Sequence, residues 1–203
     1  MASADTVAQL EAAHPNLLVL KSRALATLQI KLRDIKSSHA HFKHYADRLM
    51  RILAEEGLAS CATESATIVT PTGDSFTGLL PVERVCVVSI IRAGDSLLDA
   101  VLACDPTVTV GKILIQRDEQ SQEKTPVMYY SKLPPSTLID AGVEEKKITF
   151  LNVISCPEGI ATLSKAYPQV KIVTAGLDCG MNSHKYIVPG LGDYGDRYYN
   201  TVE

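Results

Sequence analysis

Five short apolar runs in the second half of the chain set the strongest limit on its fold. They span residues 85–91, 112–116, 127–130, 148–154 and 171–175. All are rich in β-branched residues and lack polar–apolar alternation, which is typical of parallel strands buried on both faces. Helical patterns at 95–104 and 157–166 separate several of them. Because strand–helix–strand order builds a parallel sheet, we predict a doubly wound α/β domain.

The N-terminal half adds helices and one hairpin. An amphipathic pattern predicts a helix over 38–56, with Gly57 as its left-handed stop. The pair Thr72-Gly73 predicts a hairpin turn. We therefore expect a loosely ordered tail over 1–16 and a single domain over 17–203.

Composition narrows the class of protein. Hydrophobic residues make up 46% of the chain and charged residues 21%, with a net charge of -3 and a pI near 6.0, which is typical of a soluble globular protein and does not favour nucleic-acid binding. The five cysteines are far apart and form no C-x-x-C pair, so neither a disulfide framework nor a zinc site is expected. No secretory signal or membrane-length apolar run is visible. We predict a cytoplasmic protein with no nucleic-acid or membrane partner.

Two charged turns follow predicted strands, where open α/β sheets bind their ligands. Arg92 precedes Ala93 and Gly94 directly after the strand 85–91, which suits an anion site, although a strand-to-helix turn needs small residues in any case. The run 116–119 follows the next strand, and a solvated charge run is the usual explanation for such a string. Neither turn is diagnostic alone.

The segment 182–201 is more specific. Three glycines, Gly190, Gly192 and Gly195, alternate with Asp193 and Asp196 within it. Glycines at this density let the backbone fold closely around a small planar ligand and offer N–H and C=O groups to it. We predict a formed pocket here.

Five motifs together resemble those of the uracil phosphoribosyltransferase family and occur in its order. They lie at 92–94, 111–119, 132–135, 157–160 and 186–198, and the similarity covers roughly 17–201. The resemblance implies a type I phosphoribosyltransferase-like fold, with a doubly wound, mostly parallel sheet, N-terminal helices and a C-terminal hood that binds uracil. It also implies transfer of ribose 5-phosphate from phosphoribosyl pyrophosphate (PRPP) to N1 of uracil, giving UMP in pyrimidine salvage.

The resemblance implies roles for individual residues. Arg92 and Arg117 would contact the pyrophosphate end of PRPP, and Asp193 would lie near its ribose and the Mg²⁺ that accompanies it. The uracil pocket would be lined by Ile187, Gly192, Asp193 and Tyr194. The family also implies a homo-oligomer, dimer or tetramer, with GTP as an allosteric effector near Lys21 and Arg33.

One family element is absent. Members carry a central strand followed by a loop similar to D-P-M-L-A-T-G-G-S, which holds the 5′-phosphate of PRPP, but this chain has no adjacent pair of glycines. If residues 138–140 end the crossover helix, a block of about 25–30 residues, the size of a strand–loop–helix unit, is missing between Ser136 and Thr137. Three interpretations remain open: an active enzyme, an inactive isoform or paralogue that serves as a regulatory or structural subunit, or a non-functional truncated product.

Overall fold

The computed structural model describes residues 1–114 and 138–201, together with the backbone of two short strands between them. The helices are α1 (Ala4–Ala13), α2 (Arg23–Arg33), α3 (His39–Ala59), α4 (Gly94–Cys104), α5 (Pro157–Ala166) and α6 (Tyr194–Tyr199), with a 3₁₀ turn at Glu145–Lys147. The strands are β1 (Leu17–Val19), β2 (Thr63–Val69), β3 (Ser75–Pro81), β4 (Cys86–Ile91), β5 (Thr109–Leu114), β6 (Gln116–Arg117), β7 (Pro126–Val127), β8 (Thr149–Asn152), β9 (Lys171–Thr174), β10 (Gly180–Met181) and β11 (Ile187–Val188).

The parallel strands form two separate half-sheets. β4 pairs with β5, from Cys86 opposite Thr109 to Ile91 opposite Leu114. β9 lies between β1 and β8 and runs parallel to both. In the doubly wound order 2-1-3-4-5, β5 and β4 take the first two places and β8 and β9 the last two. Among the described residues no strand takes the central place, in agreement with the predicted loss of a strand.

The strands of the two half-sheets differ in how deeply they are buried. β9 is covered on both sides, and Ile172, Val173 and Thr174 are each 0% exposed. β8 is only half-buried along its length, and β5 leaves Val110 46% exposed. The prediction that all the apolar runs are buried on both faces is therefore wrong for β4, β5 and β8, because the elements packed on the faces of a strand, and not its own residues alone, determine its burial.

Helix α3 packs against both half-sheets. Ser38 caps it by accepting a hydrogen bond from the His41 amide at 3.4 Å, so it begins where the amphipathic pattern predicts. Leu49 and Leu53 pack in one cluster with Val173 of β9. The next residue, Ala54, packs with Val101 of α4 in a second cluster that includes the partly buried Val87 of β4. A single helix thus connects the two half-sheets.

Gly57 does not end α3, and that prediction is wrong. The helix continues to Ala59, and its C-cap Ser60 has ordinary right-handed dihedrals. A Cβ at Gly57 would lie 2.5 Å from Cδ1 of Leu151 on β8. The glycine is therefore used for the close approach of α3 to β8, and not for a change of chain direction.

The remaining elements surround this body. Within 1–16, the segment expected to be loosely ordered, residues 4–13 form α1, and Val7 and Leu10 pack against a cluster that includes β1. The predicted turn at Thr72-Gly73 is confirmed, since it joins β2 to β3 with Gly73 at φ +90°. The helical turn 138–140 ends in Gly142 at φ +92°, and the Val143 amide donates to the Leu138 carbonyl. Such a Schellman ending confirms that 138–140 closes a helix.

Candidate functional site

The segment from β10 to α6, residues 180–201, lies at the carboxyl ends of both half-sheets and is called the closing segment below. β10 and β11 form a short antiparallel pair, with Met181 opposite Ile187. The chain then turns through Gly190 at φ +66° and Gly192 at φ +80°. A Cβ at Gly190 would overlap the Ile187 carbonyl oxygen. Only glycine suits this turn, because both the dihedral and the space exclude a side chain.

A buried ion pair anchors the closing segment to the half-sheet that contains β9. Asp178 follows β9 and its side chain is 0% exposed. Its Oδ2 accepts hydrogen bonds from Arg33 Nη1 at 2.8 Å and from the Gly190 amide at 2.9 Å. The same Nη1 donates to the Gly190 carbonyl at 2.9 Å. Both backbone polar groups of Gly190 are therefore fixed by one charge pair.

A second anchor comes from the other half-sheet. Arg92, in the turn between β4 and α4, donates to Asp196 Oδ1 at 2.5 Å and to Thr201 Oγ1 at 3.0 Å. Thr201 also donates to Asp196 Oδ1 at 2.7 Å. The hydrogen bond from Thr201, followed by that from Arg92, holds the pKa of the Asp196 carboxyl below its usual value. Arg92 thus connects the end of β4 to α6 while remaining 48% exposed.

Tyr194 joins the closing segment to the core. Its ring stacks on Tyr198 at a centroid distance of 5.5 Å and packs at 5.6 Å from the ring of Phe42. Its hydroxyl lies 3.0 Å from Ser96 Oγ. Burial raises the pKa of this phenol well above its usual range. Because the ring is used in packing, the groups that Tyr194 can offer to a ligand are those of its backbone.

Gly192 and Asp193 are the exposed part of the predicted pocket. Both are open to solvent, whereas Ile187 is half-buried. Asp193 caps α6 by accepting a hydrogen bond from the Asp196 amide at 3.0 Å through Oδ1. The structure thus brings Ile187, Gly192, Asp193 and Tyr194 into one segment, with Arg92 joined to it. The side chain of Arg117 lies outside the described residues.

The sequence interpretation missed three residues that hold the closing segment. Asp178 and Arg33 form the buried pair, and Arg33 was considered only as a GTP contact. Arg197 Nη1 donates to the carbonyls of Leu32 at 2.6 Å and Leu191 at 2.5 Å, which joins α6 to the end of α2. Only for Asp178 did the sequence offer a signal, because it follows a predicted strand at the edge where the site was expected.

Two features are absent from the parts of the chain that the structure describes. Across 1–114 and 138–201, no group of three or more His, Cys, Asp or Glu side chains is placed to hold a metal ion. In the same ranges, no helix combines the length and the apolar character needed to cross a membrane.

The fold and the site define a class of protein, namely an α/β protein with a doubly wound strand order and a glycine-rich closing segment at the carboxyl ends of its strands. The sequence model of "Uracil phosphoribosyltransferase" matches residues 19–138 and 135–201. A uracil phosphoribosyltransferase of Dictyostelium discoideum is 37% identical, covering 93% of this chain and 98% of its own. One of Saccharomyces cerevisiae is 37% identical, covering 90% and 94%. The chain belongs to the uracil phosphoribosyltransferase family.

A solved structure gives the same fold. The "AQ2163 protein from Aquifex aeolicus" superposes with a TM-score of 0.71 at 25% identity, covering 90% of this chain and 97% of that one. The phosphoribosyltransferase-like fold, with its parallel strands and N-terminal helices, is therefore confirmed.

The comparisons also locate the missing segment. The two stretches matched by the family model meet at residues 135–138, where the sequence predicts the loss. The Dictyostelium alignment runs over 213 positions but covers 93% of the 203 residues here, about 189, so about 24 positions have no counterpart in this chain. This agrees with one strand–loop–helix unit.

Proposed function

We propose that this chain acts in pyrimidine salvage as a uracil phosphoribosyltransferase, making UMP and pyrophosphate from uracil and PRPP. The bond from the ribose C1 to pyrophosphate breaks, a bond from C1 to uracil N1 forms, and N1 loses its proton. The observation that carries the proposal is the closing segment, whose turn at Gly190 is fixed by protein contacts with Asp178 and Arg33. A pre-formed turn reduces the ordering cost of binding a small base.

Four of the predicted site residues take direct roles in the proposal. Exposed backbone groups at Gly192 and Asp193 would read the edge of uracil. Arg92 and Arg117 would neutralise the leaving pyrophosphate, where charge develops in the transition state. Arg92 is suited to this because a side chain that is 48% exposed can reorient from Asp196 towards an incoming anion.

Magnesium would arrive with PRPP. Mg²⁺ is usually held by one or two carboxylates together with substrate phosphates, so a single exposed carboxylate beside the pocket fits it. Asp193 is the exposed carboxylate beside the predicted pocket. When bound, the ion would neutralise the phosphate oxygens of PRPP.

We also propose a cytoplasmic homo-oligomer and GTP as an allosteric effector. For GTP, the two residues of the predicted contact differ in their exposure to solvent. Lys21 is paired with Glu11 at 2.6 Å and is the more exposed partner, while the Arg33 side chain is only 15% exposed. Lys21 would therefore meet the effector more readily than Arg33.

A direct assay tests the function. The chain is incubated with uracil, PRPP and Mg²⁺, and UMP is measured. Asp193→Asn removes the charge but keeps a good helix cap, so we expect at least about tenfold less UMP with little loss of stability. Asp74→Asn, in the exposed β2–β3 turn, is the matched control and should leave turnover unchanged. Equal activity of the two variants contradicts the assigned role of Asp193.

Two observations favour a second function. The half-sheets are separate, and the sequence lacks the loop that holds the 5′-phosphate in the family. A subunit that binds uracil without making UMP fits both. Calorimetry with uracil and with PRPP separates the two: uracil binding without turnover supports the subunit, and no binding of either substrate contradicts both.

A further inference from the structure

We propose that the gap between β4 and β8 binds, in parallel orientation, an extended apolar strand supplied by a separate chain. The occupant is the strand that complete members of the family carry in the central place of the sheet. This goes beyond the proposed reaction, because strand binding requires no turnover.

The edges that face the gap can be identified from the hydrogen bonds on the opposite sides. The Thr109 amide donates to the Val85 carbonyl, so the backbone N–H and C=O groups of the odd-numbered residues of β4 point towards β5. Since polar groups alternate along a strand, those of Val88 and Ile90 point into the gap.

In β8, the odd-numbered residues face the gap. The amides of Lys171 and Ala175 donate to the carbonyls of Ile148 and Asn152, so even-numbered residues point towards β9. The backbone groups of Thr149 and Leu151 therefore face the gap. Within residues 1–114 and 138–201, no other strand pairs with either edge.

The ends of the two strands show that they run in the same direction. Before the strands begin, Lys147 Nζ lies 3.0 Å from Glu83 Oε1. Beyond their carboxyl ends, the closing segment is tied to the β4 side through Arg92 and to the β9 side through Asp178. A strand between two partners spans two spacings of about 4.7–4.9 Å each, a distance that one extended Lys–Glu pair can bridge.

The side chains of the two flanking strands indicate which kind of strand fits the gap. Val87, Val88 and Leu151 are half-buried apolar side chains on the flanking strands. β4 has six residues and β8 has four, so the occupant is a short run of apolar, β-branched residues. The Dictyostelium alignment contains about 24 positions that have no counterpart here, which is long enough for such a run. Main-chain hydrogen bonds on both sides would give the affinity, as in strand addition to a sheet edge.

The experiment uses a labelled synthetic peptide that covers the unmatched positions of the Dictyostelium relative. Fluorescence anisotropy measures its binding to the purified chain, and hydrogen exchange measures protection of the edge amides. We expect saturable binding, with slower exchange at Val88 and Ile90 of β4 and at Thr149 and Leu151 of β8. No binding, or protection confined to one half-sheet, overturns the proposal.

Modified peptides sharpen the test. A strand added to one edge tolerates N-methyl groups on alternate residues of one parity, whereas a strand inserted between two partners tolerates neither parity. We expect both N-methyl series to bind at least tenfold more weakly than the parent peptide. If one series binds as the parent does, the peptide lies on a single edge and the insertion is refuted.

A variant of the chain gives an independent check. Val88→Pro removes an amide that faces the gap and leaves the ladder to β5 in place, as proline allows on an edge strand. We expect at least tenfold weaker peptide binding with an unchanged circular dichroism spectrum. Light scattering tests the alternative occupant, a second copy of this chain. A dimer that excludes the peptide and dissociates in Val88→Pro would assign the gap to that second copy and overturn the proposal. Should the variant misfold, the N-methyl series decides alone.

Discussion

Replacing Asp178 by asparagine removes one charge of the buried anchor while nearly conserving its volume. The side chain is 0% exposed and its partner Arg33 is 15% exposed. Arg33 Nε still donates to Gln29 Oε1 at 3.1 Å, so the guanidinium stays in place without a counter-ion. The variant therefore measures the cost of an unpaired buried charge at the base of the closing segment.

The magnitude follows from the burial of the pair. Breaking a buried ion pair from one side costs about 3–5 kcal/mol. Because Arg33 keeps some exposure, we expect the lower end of that range for Asp178→Asn, about 3 kcal/mol, or about 6–12 °C in melting temperature for a chain of this size. Arg33→Met should cost more, because the Asp178 side chain that it leaves behind is fully buried.

A double-mutant cycle measures the interaction between the two charges. Urea denaturation of the two single variants and of the double variant is followed by circular dichroism. Removing both charges leaves neither unpaired, so the double variant should be at least about 2 kcal/mol more stable than the sum of the single losses predicts. Costs that add within about 0.5 kcal/mol show that the two charges do not interact, and this refutes the reasoning.

Three further predictions concern the turns, the helix contact and the site charge. Gly190→Ala should lower the free energy of unfolding by more than about 2 kcal/mol in urea denaturation, because steric overlap adds to the strain of the positive φ. Gly73→Ala, with open space around it, should lower it by about 1 kcal/mol. Similar losses in the two variants would contradict the overlap. Gly57→Ala should destabilise despite a helix-propensity gain of about 1 kcal/mol, and a higher melting temperature would exclude a tight contact. NMR titration should place the pKa of the Asp196 carboxyl below the usual range of an aspartate, and Arg92→Gln should raise it towards that range. Because folding lowers the pKa of this carboxyl, the stability that it contributes is present above its unfolded pKa and is lost as pH falls through its folded pKa. An unchanged titration midpoint in Arg92→Gln would exclude the ion pair.

Local patterns predicted the elements of this fold well where short-range chemistry determines them. Ser38 begins α3, and the helices at 95–104 and 157–166 are confirmed within a residue of their observed bounds. Gly57 was misassigned because glycine serves both helix ends and close contacts, and only the position of Leu151 distinguishes the two. Sequence spacing contains no information about that neighbour.

The candidate site divides in the same way. The glycine-rich segment and Arg92 were recognised from motifs, since both are local. The anchor of Asp178 to Arg33 joins residues 145 positions apart, and no periodicity predicts such a pair. The burial of β4 and β5 was overestimated for a related reason, because coverage of a strand depends on neighbours that its own residues do not specify.

The dependence of both half-sheets on α3 changes where this chain tolerates mutation. In an uninterrupted sheet, the central strands bear most of the constraint on sequence. Here Ala46 and Ala54, both 0% exposed, lie with Gly57 on the helix that holds the halves together. In a saturation mutagenesis screen scored by soluble expression, this row of small residues should accept fewer substitutions than any strand position in β4 or β8.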